Sequence, residues 1–180
     1  AVLGHNGSGK STTEKIICGL IRPSGGTVKL YGRDYTDVDV RAKVGVLIES
    51  PGCFPNMTVW NNLKLQADNL SIENPDDEIR KILKLVRMEG AAGNKYKNCS
   101  LGMKQRIGIA RALYKEADVL FLDEATSSLD NQTEKEVNET LMQLKETYKG
   151  LTILSIAHRE SSLAYCDRII TLDNENKQNI

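Results

Sequence analysis

Apolar residues recur along this chain at two spacings, and the changes between them mark out its elements. Ala1-Val2-Leu3 is a short apolar run, and residues 27–31 alternate like a strand after the turn-forming Pro23-Ser24-Gly25-Gly26. Val44–Ile48 is apolar almost throughout, the pattern of a buried parallel strand. From residue 50 to residue 113 the period lengthens to about 3.6. Trp60, Leu63, Ala67 and Leu70 fall on one helical face, and Ile79, Ile82, Leu83 and Val86 on a second. A third helix from about Leu101 turns Met103, Ile107, Ala110 and Leu113 inward, and loops are expected at 69–76 and 89–99. The strand pattern returns at 119–122, 152–156 and 168–172, interrupted by an amphipathic helix over 131–148 that carries Val137, Leu141, Leu144 and Tyr148. Five candidate parallel strands separated by helices predict an α/β fold. Residues 174–180 read as a frayed polar end.

Between the first strand and the first helix lies Gly4-His5-Asn6-Gly7-Ser8-Gly9-Lys10-Ser11, which fits G-x-x-x-x-G-K-[ST] at every fixed position. Glycines at 4, 7 and 9 let the backbone turn its N–H groups around a polyphosphate at the positive end of the following helix. Lys10 would reach the β- and γ-phosphates, and the Ser11 hydroxyl is a hard oxygen ligand suited to Mg²⁺. The plain alternative, a glycine-rich turn before a helix, does not account for the strand, loop and helix following in the order that phosphate binding requires. The helix itself, 8–19, takes its apolar side from Ile16, Ile17 and Leu20, and Glu14 interrupts the expected apolar face. If that side is buried, the Glu14 carboxylate is expected to have a raised pKa or a partner.

Composition narrows the function by exclusion. One hundred and eighty residues suffice for one domain with a real core, and a net charge of zero carries no electrostatic signal for nucleic acid. Cys18, Cys53, Cys99 and Cys166 form no C-x-x-C pair, which argues against a zinc site or a disulfide scaffold and for reduced thiols. His5 and His158 are the only histidines, too isolated for a metal site. No apolar run is long enough to span a bilayer and no signal peptide precedes the loop, so a membrane role is expected to come through a partner.

A second chemical signal is Val119-Leu120-Phe121-Leu122-Asp123-Glu124, where two carboxylates emerge at the carboxyl end of an apolar strand, the end where α/β sheets bind nucleotides. Asp123 can hold Mg²⁺ directly or through water, and Glu124 can accept a proton from an attacking water. The continuation Asp123-Glu124-Ala125-Thr126-Ser127-Ser128-Leu129-Asp130 resembles the ATP-binding cassette (ABC) transporter family almost letter for letter. Ser100-Leu101-Gly102-Met103-Lys104-Gln105-Arg106 is similar to that family's signature loop. Ile156-Ala157-His158-Arg159 resembles its switch-histidine segment, and Cys166-Asp167-Arg168-Ile169-Ile170 the strand that follows.

The resemblance implies a P-loop NTPase fold: a RecA-like parallel sheet core of strand order 5-1-4-3-2, within a single ATPase domain over 1–180, and a helical subdomain inserted at 50–113 that docks against membrane helices. It implies ATP and Mg²⁺ as cofactors, with Gly4, Asn6, Gly7, Ser8, Gly9, Lys10, Ser11 and Thr12 around the phosphates and Ser11, Asp123 and Glu49 toward the metal. Glu124 and His158 are the implied catalytic residues, His158 contacting the γ-phosphate and orienting the water. Two subunits would sandwich two ATP molecules head to tail, so that Ser100 and Gly102 of one meet the γ-phosphate held by the other, while Asp130 couples the sites across the interface. Asp130 can also simply N-cap the helix that begins near Asn131, and His158 can simply cap a strand end. The implied partners are this second ATPase subunit and a transmembrane permease, with no nucleic acid, at the cytoplasmic side of the membrane.

Three departures from the family pattern shape the expectation. Cys99-Ser100-Leu101-Gly102-Met103 replaces the usual Leu-Ser-Gly-Gly-Gln, and Glu49 stands where most members carry Gln; both resemble the bacitracin-type and lantibiotic-immunity exporters. The last third, with Glu124-Ala125-Thr126 and Ala157-His158-Arg159, is more similar to exporters fused to their membrane domain. The family's upstream antiparallel sheet and adenine-stacking aromatic are not in the chain, which reads as N-terminally incomplete. The expected function is ATP hydrolysis driving export of a peptide, antibiotic or similar solute. The alternatives are a non-transport ABC ATPase acting on DNA, ribosomes or iron–sulfur assembly, or a catalytically weak fragment that keeps the fold. Heptads for long coiled-coil arms are absent between Lys10 and Asp123.

Overall fold

The structure is a computed structural model and describes residues 1–5, 7–48, 51–114, 117–123, 129–156 and 163–172. In chain order, β1 (Val2–Leu3) leads through the glycine-rich loop into α1 (Lys10–Ile17), and β2 (Lys29–Leu30) and β3 (Arg33–Asp34) form a hairpin. A short α2 (Val38–Ala42) precedes β4 (Val44–Ile48), and α3 (Val59–Asn69), α4 (Pro75–Leu85) and α5 (Leu101–Ala112) make a helical layer. The chain then returns to the sheet through β5 (Val119–Asp123), α6 (Asn131–Thr147), β6 (Thr152–Ile156) and β7 (Ile170–Thr171).

The central sheet runs β4-β5-β6-β1-β7, and each neighbouring pair is parallel. Numbered by their order in the chain and read from β7, the five strands stand 5-1-4-3-2, the order the resemblance implies. β5, between the edge strand β4 and the central β6, is the most buried strand, with Leu120, Phe121 and Leu122 shielded between layers. Around it one apolar cluster takes in Leu63, Ile79, Ile82, Ile107 and Ile109 of the helical layer and Val137 and Leu144 of α6.

Local chemistry places the helix boundaries. Thr58 caps α3 by accepting from Asn61 N at 3.0 Å, and α4 opens with Pro75 at its first turn beside Asp76, Asp77 and Glu78, which complement the helix dipole. Ser100 and Asp130 cap α5 and α6. The loop before α3 is held from inside by the buried Asn62, which accepts from Phe54 N at 2.7 Å and donates to Phe54 O at 3.1 Å and Thr58 O at 3.0 Å. Arg111 ties α5 to the stretch after β4, donating to Pro51 O, to Gly52 O at 2.8 Å and to Gln66 Oε1 of α3 at 3.1 Å.

Three expectations change. The buried stripe of α1 is Lys10, Glu14 and Cys18, spaced by four, while Ile16 and Ile17 are partly buried and Leu20 is exposed. Glu14 therefore stands at the middle of the buried face. Val44–Ile48, whose apolar run is the pattern of a fully buried strand, is buried in alternation: Gly45 and Leu47 are covered by α5, Val44, Val46 and Ile48 are only partly buried, and the strand lies at the sheet edge, where the implied order puts it. Gly45 lets α5 approach so closely that a Cβ there would lie 2.1 Å from Ala112 O. The strand expected at 27–31 is paired antiparallel with β3, a partner its own alternation did not announce. The frayed end expected at 174–180 lies outside the described residues.

Candidate functional site

Four strands of the sheet end in one row: Ile48 is paired with Asp123, Asp123 with Ile156, and Ile156 with Val2. Parallel strands bring their carboxyl ends to one side, so residues far apart in sequence converge there. Beyond Leu3 the chain enters the glycine-rich loop with Gly4 at φ +155, and a Cβ at this position would lie 2.5 Å from Leu172 O and 2.6 Å from Ser8 Oγ. Gly9 closes the loop at φ +91 as the N-cap of α1.

That cap has a chemical consequence. Gly9 provides no side-chain hydrogen bond, so the first turn of α1, like that of α4, keeps its N–H groups unused by a capping side chain, whereas α2, α3, α5 and α6 are capped by Asp37, Thr58, Ser100 and Asp130. An uncapped helix start facing a glycine loop is the arrangement that receives phosphate oxygens. Ser8 Oγ, within the loop, is buried without a hydrogen-bond partner. Lys10 is buried, and its Nζ donates to Gly4 O at 2.7 Å and His5 O at 3.0 Å, which holds the ammonium against the loop that would carry an anion.

Ser11 Oγ approaches Asp123 Oδ1 at 3.4 Å, bridging the start of α1 and the end of β5 across 112 positions of sequence. A hydroxyl and a carboxylate oxygen side by side are the hard donors that suit Mg²⁺, so the residues present fit that ion. Thr12 follows on the exposed side of the helix. One turn further in, Glu14 is 2 % exposed with neither carboxylate oxygen hydrogen-bonded. Burial first, and then the negative charge of Asp123, pushes its pKa up to about 8, with Lys15 opposing. The expectation that burial of this side raises the Glu14 pKa is met.

Ser100, Gly102 and Asp130 form a second group at the N-termini of α5 and α6. Ser100 is exposed and its Oγ accepts from Met103 N at 3.3 Å. Gly102 is buried, and a Cβ there would lie 2.2 Å from Thr133 Cγ2, so any side chain there would have to displace the Thr133 methyl where α5 packs on α6. Asp130 does cap α6: its Oδ1 accepts from Thr133 N at 3.0 Å and its Oδ2 from the Thr133 hydroxyl at 2.6 Å. These bonds, the hydroxyl's first, hold its carboxyl below the usual aspartate pKa. Asn6, Glu49, Glu124 and His158 lie outside the described residues; in the chain Glu49 and Glu124 follow directly on Ile48 and Asp123, and His158 stands two residues beyond Ile156. Sequence reasoning missed Thr133 and Arg111: the bonds of Thr133 to Asp130 are local, three residues apart, but its contact with Gly102 and the bonds of Arg111 reach across elements and leave no trace in local spacing.

A phosphate-binding loop at the carboxyl edge of a 5-1-4-3-2 parallel sheet, with a strand-end aspartate beside its serine, defines a nucleotide-binding domain of the P-loop NTPase class. The family described as "ABC transporter" matches residues 1–127, and the chain belongs to that family. It is 37% identical over 179 residues to the energy-coupling factor transporter ATP-binding protein EcfA1 of Geobacillus kaustophilus, covering 96% of this chain and 64% of that protein. It is 34% identical over 180 residues to the sulfate/thiosulfate import ATP-binding protein CysA of Bacillus cereus, covering 96% of this chain and half of that protein, 50%. The chain thus spans less than two thirds of these relatives. Among solved structures, cbiO1 from Clostridium perfringens, part of the ABC transporter complex cbiONQ, matches with a TM-score of 0.85 at 27% identity, covering 95% of this chain and 71% of that one. The dimeric bacterial ABC transporter cassette MJ0796 matches at 0.80 and 29% identity, covering 96% of this chain and 79% of that one.

Proposed function

We propose that this protein is the ATP-hydrolysing subunit of an ABC transporter, working as a head-to-tail pair at the cytoplasmic face of a membrane and driving a transmembrane partner. The observation that carries the reading is the meeting of Ser11 with Asp123 at 3.4 Å beside a helix start left without a side-chain cap. The relatives' names point the same way, toward transport. No described helix is long and apolar enough to cross a membrane, which fits a peripheral subunit.

In this reading the N–H groups of α1 and the Lys10 ammonium bind the β- and γ-phosphates, a preorganised positive site that need not reorganise as charge develops. Ser11, Asp123 and Glu49 would hold Mg²⁺, which neutralises phosphate charge when bound. Glu124 takes the proton from the attacking water and His158 orients it. Ser100 and Gly102 of a second copy complete the site, and Asp130 links the two. The domain is a single ATPase unit over 1–180 with the helices of 50–113 as its membrane-facing subdomain. The finer expectation, export of a peptide or antibiotic from the signature variant, finds no support in relatives named for energy coupling and for sulfate/thiosulfate import. The proposal is therefore transport without that direction.

Two substitutions test it in the full-length protein. Lys10→Ala abolishes ATP hydrolysis, and unchanged turnover refutes the assignment. Glu124→Gln keeps ATP binding but slows hydrolysis by about 10²- to 10⁴-fold, the usual contribution of a positioned general base.

A further inference from the structure

Thr133 stands in the first turn of α6 and touches both members of the second group. Its hydroxyl donates to Asp130 Oδ2 at 2.6 Å and its backbone N–H to Asp130 Oδ1 at 3.0 Å, so one residue holds both oxygens of that carboxylate. Its methyl fills the space left by the missing side chain of Gly102, where a Cβ would lie 2.2 Å from Thr133 Cγ2. A single side chain thus orients Asp130 with its polar atom and seats the first turn of α5 with its apolar one.

The rest of α5 is fixed by other means. Gly108 lies against β4 and the stretch after it, where a Cβ would come within 2.7 Å of Leu47 Cδ1 and 2.9 Å of Pro51 Cγ. Arg111 adds its bonds to Gly52 O at 2.8 Å and Gln66 Oε1 at 3.1 Å. A helix pinned along its C-terminal half still pivots at the other end unless that end has a seat. The end in question carries Ser100, exposed and already committed as the cap of its own helix.

We propose that Thr133 is a positioning residue for the composite ATP site, setting the spacing between Asp130 and the Ser100–Gly102 turn, the two parts of this chain that face the second copy. The inference rests on the head-to-tail pairing proposed above. Its two atoms make separable contributions. The hydroxyl acts through Asp130, and the methyl acts through α5.

The test is ATP-driven dimerisation of the full-length protein carrying Glu124→Gln, followed by light scattering, with ATP binding to the monomer measured in parallel. Thr133→Val keeps a methyl and loses the donor, whereas Thr133→Ser keeps the donor and loses the methyl. Each raises the concentration for half-dimerisation by about 5- to 10-fold, the equivalent of one ordinary interaction of this kind, and leaves the monomer's affinity for ATP unchanged. In an Asp130→Ala background Thr133→Val adds nothing further, while Thr133→Ser retains its full effect. A purely structural threonine gives the opposite pattern: a lower melting temperature with dimerisation untouched in both variants, which overturns the inference. If the Glu124→Gln parent itself fails to dimerise with ATP, the pairing falls and the inference with it; dimerisation indifferent to the threonine variants overturns the inference alone.

Discussion

Glu14 is the residue at which this chain departs most from what its position asks for. A carboxylate that is 2 % exposed and makes no hydrogen bond is kept neutral by its surroundings, and its pKa of about 8 stands well above the model-peptide carboxylate. The sign of the stability effect follows from the raised value. Below the ordinary glutamate pKa both folded and unfolded chains are protonated and Glu14 costs nothing through ionisation. As pH rises the unfolded chain ionises first, so the fold loses about 1.4 kcal/mol per pH unit until the folded group also ionises near pH 8. Glu14→Leu should therefore stabilise the protein, by about 1–3 kcal/mol from the transfer of a buried leucine alone, with relief of the ionisation cost added to this as pH rises toward 8. Thermal melts at pH 5 and pH 8 check this: the advantage of the leucine variant should grow with pH, and a lower melting temperature than the parent at pH 8 would show that the carboxylate has a needed partner. The residue was conspicuous in the sequence as a charge on an expected apolar face. Its burial was not, because the apolar side read from the sequence rested on Ile16, Ile17 and Leu20, whereas the stripe the fold buries is Lys10, Glu14 and Cys18.

At the scale of elements, periodicity and caps were a sound guide wherever a helix buries one face against many neighbours. Leu63, Ala67, Ile79, Ile82, Ile107 and Ala110, picked out by spacing alone, are fully buried, and Ser100 and Asp130 begin the helices their types favour. Strands were harder. The continuous apolar run of β4 has the pattern of a fully buried strand, yet its burial alternates and it relies on α5 for cover. The contact is tight enough to test. Gly45→Ala would place a methyl 2.1 Å from Ala112 O, a backbone atom that cannot rotate away, so the helix must shift. A loss of about 1–3 kcal/mol is expected, the usual cost of overpacking, read from the midpoint of urea unfolding. An unchanged midpoint would show that α5 yields freely at that end.

Across the whole molecule, ligand binding at the proposed site should be linked to folding, since its groups come from β1, α1 and the end of β5 and meet only in the folded chain. Mg²⁺ and ATP at about 100 times their dissociation constant should then add about 2.7 kcal/mol to the stability of the fold. Differential scanning calorimetry checks this: the melting temperature should rise with ATP concentration in the parent and stay flat in Lys10→Ala. A flat response in the parent would remove the basis for nucleotide binding at this loop. The same assembly explains the position of the candidate groups. Lys10, Ser11 and Asp123 belong to one end of the sheet, while Ser100, Gly102 and Asp130 belong to the paired helix starts of α5 and α6; in the proposed pairing the second group of one copy meets the first group of the other.

The sequence by itself determined the glycine-rich loop between β1 and α1, the strand that ends in Asp123, the helical middle and the cap at Asp130. Each of these depends on neighbours within a turn or a strand's length, so a glycine, a hydroxyl or a period is enough to specify it. Only the tertiary structure decided that Glu14 is buried, that α5 closes over one face of β4, that β2 pairs with β3, and that Thr133 fills the space at Gly102. The reason is that burial and close approach depend on which surface a distant segment covers. Gly102 and Thr133 are 31 positions apart and Ser11 and Asp123 are 112, and no local spacing records a contact that exists only once the sheet has brought its strands side by side.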